Sequence, residues 1–515
     1  MALPDIALSA PRSYAGRFVA QIGTRRWLHA LLLAAITLGL LLPRLDTAPP
    51  AWYDEGYNLH ATALLAQQGF YGTYTTEGWR PFDSGISSGP PLIVPAALSF
   101  KLFGAGVAQA RLASVLYTAA AALGLYALAA YFYGQAAALF VTLALIAFPT
   151  PDAANFLFVG RQFLGESAAL AGIVVGLWLW FRAWETGRWS YSLLAGIAFS
   201  IAPLAKPHAG IPLLPTLVII AALRAVKDRS QIVRLATPTV VMLAIFGGWM
   251  LLQRSAAQPA QVGALDMFNA IKVSFLSGLQ GRPLPASAYR IFAAMAFAVL
   301  VSGWRLLARR PRLNTPGAWG EAAVVLFVLV TALWYFFLSL GWPRYAYTGF
   351  TLSLLLIAKF GYDAFQWARQ KLPMRYNLQT LAMAGLALVA VVVNGYPVLQ
   401  FEPENYAQET GSYIQQQIPR DAVIESWAWE IDGLSGHQEY HHPNQNYLIT
   451  AVSQAFITQQ PFDLDYDPLQ ADPDYLLAGP FSDWVGIYDG AALDAHFEMR
   501  AEFGPYRIYQ RIRGE

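Results

Sequence analysis

The sequence predicts a polytopic α-helical membrane protein of about eleven transmembrane helices (roughly 10–13), followed by a C-terminal α/β domain on the extracytoplasmic side. Three observations predict it. Charged residues make up only 13% of the 515 residues and hydrophobic ones 56%, whereas soluble domains carry about 25% charged residues. Apolar runs of bilayer length recur from Trp27 to residue 398. The charge is also divided: residues 400–515 hold 19 Asp+Glu and 5 Lys+Arg, net −14, which leaves 13 acidic and 29 basic residues, net +16, in residues 1–399. A basic, apolar membrane domain (1–399) therefore precedes an acidic soluble domain (400–515).

The runs fall near 27–45, 108–132, 134–150, 163–183, 190–206, 208–226, 232–252, 287–308, 320–342, 346–366 and 377–398. The first follows Arg12, Arg17, Arg25 and Arg26 and has no small-residue cleavage site, so it is expected to be a retained helix. A further segment, 90–104, has only 15 residues, with Pro95 inside it and Lys101 near its end. Basic residues in short loops favour the cytoplasm. If 90–104 does not cross, the clusters at Arg182/Arg188, Arg224–Arg234, Arg305–Arg312 and Lys359–Arg375 all fall inside. If it crosses, all four fall outside. We therefore expect 90–104 to lie against the outer face, within a long outer loop at 46–107. Further outer loops are expected at 151–162, at 253–286 and around Arg344, with a cytoplasmic N-terminus.

In the last domain, 406–418 reads as a helix ended by Pro419, and 422–429, 474–479 and the pair flanking Gly504-Pro505 read as strands. The absence of Cys excludes disulfides and thiolate metal sites. His437 and His441 have the spacing of a metal pair on a helix. Gly436 and Pro443 instead argue for a loop, and a structural or incidental role is expected. No phosphate-cradling glycine loop points to nucleotides, and orientation accounts for the basic clusters without nucleic acid.

Candidate chemistry gathers at the outer face. Asp54 and Glu55 follow Trp52 and Tyr53 directly after the first helix. Adjacent carboxylates at the membrane surface suit a general base that meets a lipid-borne substrate. They equally suit a helix cap and its dipole partner. Arg161 and Glu166 form a second pair at the start of a span, where ionisable groups are costly and usually functional. A salt bridge between them or with Lys206 is the plainer alternative. Lys206, Pro207 and His208 interrupt one pair of spans, and Arg344 with Tyr345 interrupts another. Both cations suit a phosphate at headgroup depth, although Lys206 also suits snorkelling. Glu77, Asp83 and Arg111 carry weaker signals for the same cavity.

In this order the motifs resemble the GT-C glycosyltransferases. These are Asp-Glu after the first helix, GPPLIVPAALSFKLFG, QARLASVL, RQFLGES, LAKPHAGIPLLP and PRYAYTGF. Within that fold they look most like the dolichyl-phosphate-mannose–protein mannosyltransferases and their bacterial lipid A aminoarabinose transferase relatives. The resemblance spans roughly residues 25–400. It implies inverting transfer of one sugar from a polyprenyl-phosphate carrier to a lipid, glycan or protein acceptor outside a bacterial plasma membrane. It implies Asp54 and Glu55 as the catalytic pair, with Lys206, Arg344 and Arg161 near the carrier phosphate. Glu166, Arg111, Asp83, Tyr345 and His208 would line the cavity. It implies no particular cofactor; a divalent metal is optional, with Asp54 and Glu55 as its ligands if one is present. Many relatives carry Lys just before the double proline at 90–91, where this chain has Gly89. Arg80, Lys101 or Arg111 would then have to substitute. The competing functions are a transporter or flippase of lipid-linked glycans, which predicts mid-span charges and internal symmetry, and an inactive scaffold.

Overall fold

The structure is a computed structural model that describes residues 26–83, 86, 88–148, 154–227, 229–256, 284–308, 316–371, 378–400, 405–444, 447–448, 451, 464–488 and 490–513. Each of the eleven expected spans has a helix: α1 (Arg26–Leu41), α4 (Val107–Tyr133), α5 (Gln135–Ala147), α7 (Glu166–Thr186), α8 (Trp189–Ala205), α9 (Gly210–Lys227), α10 (Ile232–Ala256), α11 (Ala286–Ala308), α12 (Pro316–Leu338), α13 (Tyr347–Lys371) and α14 (Leu378–Gln400). Six apolar stretches, on α4, α7, α9, α10, α11 and α12, are long enough to cross a membrane by length and composition alone. The chain is thus a multi-pass membrane protein. Most of the expected outer loop at 253–286 lies outside the described residues.

Glycine and proline punctuate the bundle. Gly134, at φ +82°, separates α4 from α5, and Gly187, at φ +70°, separates α7 from α8. Both conformations are nearly free of steric cost only for glycine. Between neighbouring spans the contact is close. A Cβ on Gly172 would stand 2.6 Å from the Ala198 carbonyl oxygen, so α7 and α8 meet almost backbone to backbone. α7 also packs on α4, α8 on α10, and α5 on α13 and α14.

Outside the spans lie α2 (Tyr53–Gln68), a hairpin of β1 (Gly72–Thr75) and β2 (Gly78–Pro81), α3 (Pro90–Phe103) and the short α6 (Phe156–Gly160). The 14 residues of α3 reach about 21 Å, short of the ~30 Å hydrocarbon core. Its inner face, Leu92, Ile93, Ala96 and Phe100, is buried against α2 and α4, while Val94, Leu98 and Leu102 form an exposed apolar stripe. Exposed apolar side chains at that spacing suit a helix laid against lipid.

The C-terminal domain comprises α15 (Tyr406–Gln417), β3 (Ile424–Ser426), α16 (Trp429–Ser435), β4 (Tyr440–His441), β5 (Tyr475–Ala478), α17 (Pro480–Val485), α18 (Gly490–His496), β6 (Phe497–Phe503) and β7 (Tyr506–Arg511). Its sheet runs β4-β3-β5-β7-β6, with β3 parallel to β4 and β5 and with β5, β7 and β6 antiparallel. The strand expected over 422–429 is shorter. Ser426 Oγ accepts from the Ala428 N–H at 2.9 Å, and the chain turns into α16 at Trp429.

This domain docks on α2. A Cβ on Gly56 would lie 2.0 Å from the Glu430 nitrogen, a distance no side chain permits. Around that contact Tyr53 stacks on Phe481 at 3.7 Å between centroids, and Tyr57 packs on Trp429 at 4.2 Å. Helix α2 is therefore held between the membrane bundle and the soluble domain.

Candidate active site

Asp54 stands in the first turn of α2, where the unpaired amides favour a negative charge. It forms an ion pair with Arg344, and each side chain keeps about a sixth of its surface exposed. Arg344 lies in a 3-10 turn, Pro343–Ala346, that follows the left-handed Gly341 (φ +76°). The turn is pinned by the Tyr335 hydroxyl, which donates to the Gly341 carbonyl at 2.8 Å. The guanidinium sits 5.0 Å from the Trp342 ring, 5.1 Å from Trp52 and 5.9 Å from Tyr345. Burial works against its charge, but the Asp54 carboxylate, with Tyr345 and Glu166, outweighs it and holds Arg344 above its ordinary pKa.

Glu166 and Lys206 meet beside this pair. Gly165 brings the start of α7 against the end of α8, because its missing Cβ would lie 2.3 Å from the Ala205 carbonyl oxygen. Lys206 Nζ then stands 3.6 Å from Glu166 Oε1, an electrostatic contact without a hydrogen bond. Both Glu166 oxygens are buried with no hydrogen-bond partner. His208 stacks parallel to Trp334 at 5.8 Å and packs on Tyr345 at 4.8 Å. Asp54, Arg344, Glu166, Lys206, His208 and Tyr345 therefore form one cluster, drawn from four separate chain segments.

The other expected site residues are placed differently. Glu55 and Arg111 have no exposed side-chain surface and form a two-pronged pair at 2.7 and 2.9 Å. Glu55 Oε1 also accepts the Phe163 N–H at 2.5 Å, and Arg111 donates to the carbonyls of Leu45 and Pro49. Both side chains are thus enclosed, and the structure does not bring Glu55 or Arg111 into the Asp54–Arg344 cluster. Arg161 is likewise buried. Its guanidinium donates to five main-chain carbonyls, those of Leu40, Leu41, Pro43, Arg44 and Ala48. It caps the end of α1, whose last carbonyls have no intrahelical donor. Asp83 accepts from the Tyr57 hydroxyl at 2.7 Å and from Thr73 at 2.5 Å, tying the hairpin to α2. Glu77 pairs with Arg80 on the surface.

These positions do not fit a metal bridged by Asp54 and Glu55, because Arg111 and the Phe163 amide take the Glu55 oxygens. Among the described residues no three His, Asp or Glu side chains gather as a metal site would require. Gly89 is also accounted for. A Cβ there would lie 2.0 Å from the Leu204 carbonyl oxygen, so no lysine fits where relatives place one.

Several partners were not legible in the sequence. Asn58 Nδ2 donates to the Phe163 carbonyl and to Ser88 Oγ, which accepts the Gly165 amide, so α2 and the loops before α3 and α7 are tied together behind the cluster. His60 and His442 flank Asp432 at 3.1 Å each, joining α2 to the soluble domain. The aromatic box of Trp52, Trp342 and Tyr345 did carry a signal, in the rings flanking Arg344 in GWPRYAY.

Comparison with known proteins agrees with this architecture. Residues 89–250 match the dolichyl-phosphate-mannose-protein mannosyltransferase family. ArnT from Cupriavidus metallidurans bound to undecaprenyl phosphate is similar in fold, with a TM-score of 0.62 and 14% identity over 98% of this chain and 99% of that one. The apo oligosaccharyltransferase of Archaeoglobus fulgidus is similar at a TM-score of 0.58 and 11% identity, over 95% of this chain and 74% of that one. The same enzyme in complex with an inhibitory peptide and a dolichol-phosphate aligns at a TM-score of 0.56 and 12% identity, over 95% of this chain and 74% of that one. No curated protein matches the chain in sequence. The chain thus shares the fold of these membrane enzymes, and its residues 89–250 resemble the mannosyltransferase family model.

Proposed function

We propose that this GT-C-fold membrane protein is an inverting glycosyltransferase, moving a single sugar from a polyprenyl-phosphate carrier to an acceptor hydroxyl outside a bacterial plasma membrane. The observation that carries the proposal is the Asp54–Arg344 pair at the membrane-facing end of α2, with Lys206 beside it. A carboxylate that can accept a proton stands next to two cations that can hold a phosphate. That is what displacement from a glycosyl phosphate needs.

In this reaction Arg344 and Lys206 draw in the carrier phosphate. The guanidinium fork has five N–H donors, more than Asp54 and Tyr345 use, and Lys206 donates no hydrogen bond to Glu166. The acceptor hydroxyl gives its proton to Asp54 as its oxygen bonds to C1 of the sugar. The bond from C1 to the phosphate oxygen breaks, and its electron pair leaves with the polyprenyl phosphate. The two cations stabilise that growing anion, and they count for more here than in water because the site is partly dry. A phosphate leaving group needs no proton, so one carboxylate suffices, consistent with the enclosed Glu55.

Donor assays test the reading directly. Purified protein given polyprenyl-phosphate sugars and envelope acceptors should release carrier phosphate. Asp54→Asn should slow release by about 10²–10⁴-fold while carrier binding persists. Equal release from both proteins would remove Asp54 from the chemistry, and no release with any donor would abandon the transferase reading.

A further inference from the structure

Two cavities adjoin the site on its outer side. The larger, about 600 Å³, lies at the domain junction among Trp52, Gln109, Asn405, Gln408 and Tyr506. The second, about 460 Å³, runs on along α15 and shares Asn405 and Gln408 with the first. It continues past Ser412, Tyr413, Gln416 and Phe503. Trp52 connects this path to the reaction centre, since it lines the first cavity and its ring also lies 5.1 Å from the Arg344 guanidinium.

We propose that these joined cavities form one groove that binds a neutral, chain-like saccharide as the acceptor. The inference rests on the transferase reading and names its acceptor class. Three features carry it. Gln408, Ser412 and Gln416 recur every four residues on α15, so one helix face presents a row of neutral hydrogen-bonding groups. Amides offer both donors and acceptors, which is what a row of sugar hydroxyls requires. Aromatic rings are spaced along the same path. Trp52 stands at the inner end, and Tyr413 and Phe503, 5.5 Å apart, at the outer end. Such rings give flat apolar faces to the C–H face of a sugar while polar groups meet its edges.

Charge decides against the other acceptors. Among the described residues, the only carboxylate or basic side chains lining either cavity are Asp46 and Glu409, and no Lys or Arg lines either one. The domain that supplies most of the wall has 19 Asp+Glu against 5 Lys+Arg, net −14. A phosphorylated glycolipid headgroup would meet a carboxylate in each cavity and, among the described residues, no cation. The combined length, open at its outer end and continuous along three turns of α15, suits several sugar units in a row.

The test is binding of full-length purified protein to an array of neutral glycans, from disaccharides to octasaccharides of varied linkage. Phosphorylated and sulfated glycans, lipid A and unglycosylated peptides are included alongside. Carrier-phosphate release is measured in parallel. Affinity should rise with neutral chain length. Tyr413→Ala should lower long-chain affinity roughly threefold to tenfold, with disaccharide binding and affinity for the carrier phosphate unchanged. Gln416→Ala, at an exposed position, provides the same readout if the tyrosine variant does not fold. Preference for anionic glycans or peptides, length-independent binding, or no neutral glycan bound would overturn the proposal. Donor cleavage without glycan binding rejects this inference alone, whereas glycan binding without donor cleavage rejects the transferase reading instead.

Discussion

At the residue scale, two acidic neighbours on one helix have opposite fates. Asp54 meets a partly exposed cation and Glu55 a fully buried one. The helical rotation of about 100° per residue separates them, turning one toward the site and the other into the bundle. Carboxylates adjacent in the sequence are thus placed in different surroundings by the helix. Two substitutions separate the roles. Arg344→Lys keeps the charge but loses the planar fork and its stacking, so it should raise the donor KM and lower kcat with little change in thermal midpoint. Arg111→Met leaves the Glu55 carboxylate buried without its partner, and breaking such a pair costs about 3–5 kcal/mol. It should lower the thermal midpoint in detergent sharply. If Arg111→Met instead kept full stability and lost only activity, Glu55 would return to the chemistry.

At the element scale, the expected helices were well placed because apolar runs of bilayer length are a strong signal. The ends were less legible. The run placed at 163–183 begins as a helix only at Glu166, because Arg161 and Phe163 are spent on α1 and Glu55. Arg161→Ala would leave five main-chain carbonyls at the end of α1 without that donor. An unsatisfied buried polar group costs about 1–3 kcal/mol, so unfolding at lower temperature is expected, with carrier affinity in the surviving fold unchanged. A selective loss of carrier binding would restore Arg161 to the phosphate. Gly89→Lys, which re-creates the residue common among relatives, should lower stability through its clash with Leu204 rather than improve donor binding. Expression level and thermal midpoint would show which.

At the scale of the whole molecule, the soluble domain is part of the site's framework, since it fixes α2 through Gly56, Tyr53, Tyr57 and His60. Two carboxylates at that junction titrate in opposite directions. Burial pushes Glu430 up to about 7 from an ordinary value of 4.5, even though the Tyr506 hydroxyl donates to it at 3.0 Å. Asp432 is pushed up by burial but pulled down further by His60 and His442, to about 2. The folded state therefore holds the Glu430 proton more tightly than the unfolded chain, and stability falls as pH rises from about 4.5 to about 7. Asp432 acts the other way: its stabilisation is present above 3.8 and is lost as pH falls toward about 2. Glu430→Gln should flatten the loss toward neutral pH in a series of thermal midpoints. An unchanged slope would show that Glu430 is not the titrating group.

The sequence by itself determined the membrane class, the apolar helical runs, the acidic C-terminal segment and the order of motifs along the chain. Each of these depends on local composition and periodicity, which a linear reading contains. Only the tertiary structure decided which ionisable groups share a site. Asp54, Glu166, Lys206 and Arg344 are distant in sequence and become neighbours through close approaches at Gly165 and Gly56 and through the turn after Gly341. Glu55, Arg111 and Arg161 look equally functional in sequence, yet burial commits them to each other and to main-chain carbonyls. Polarity can be read one residue at a time, but desolvation and partnership belong to the packed chain.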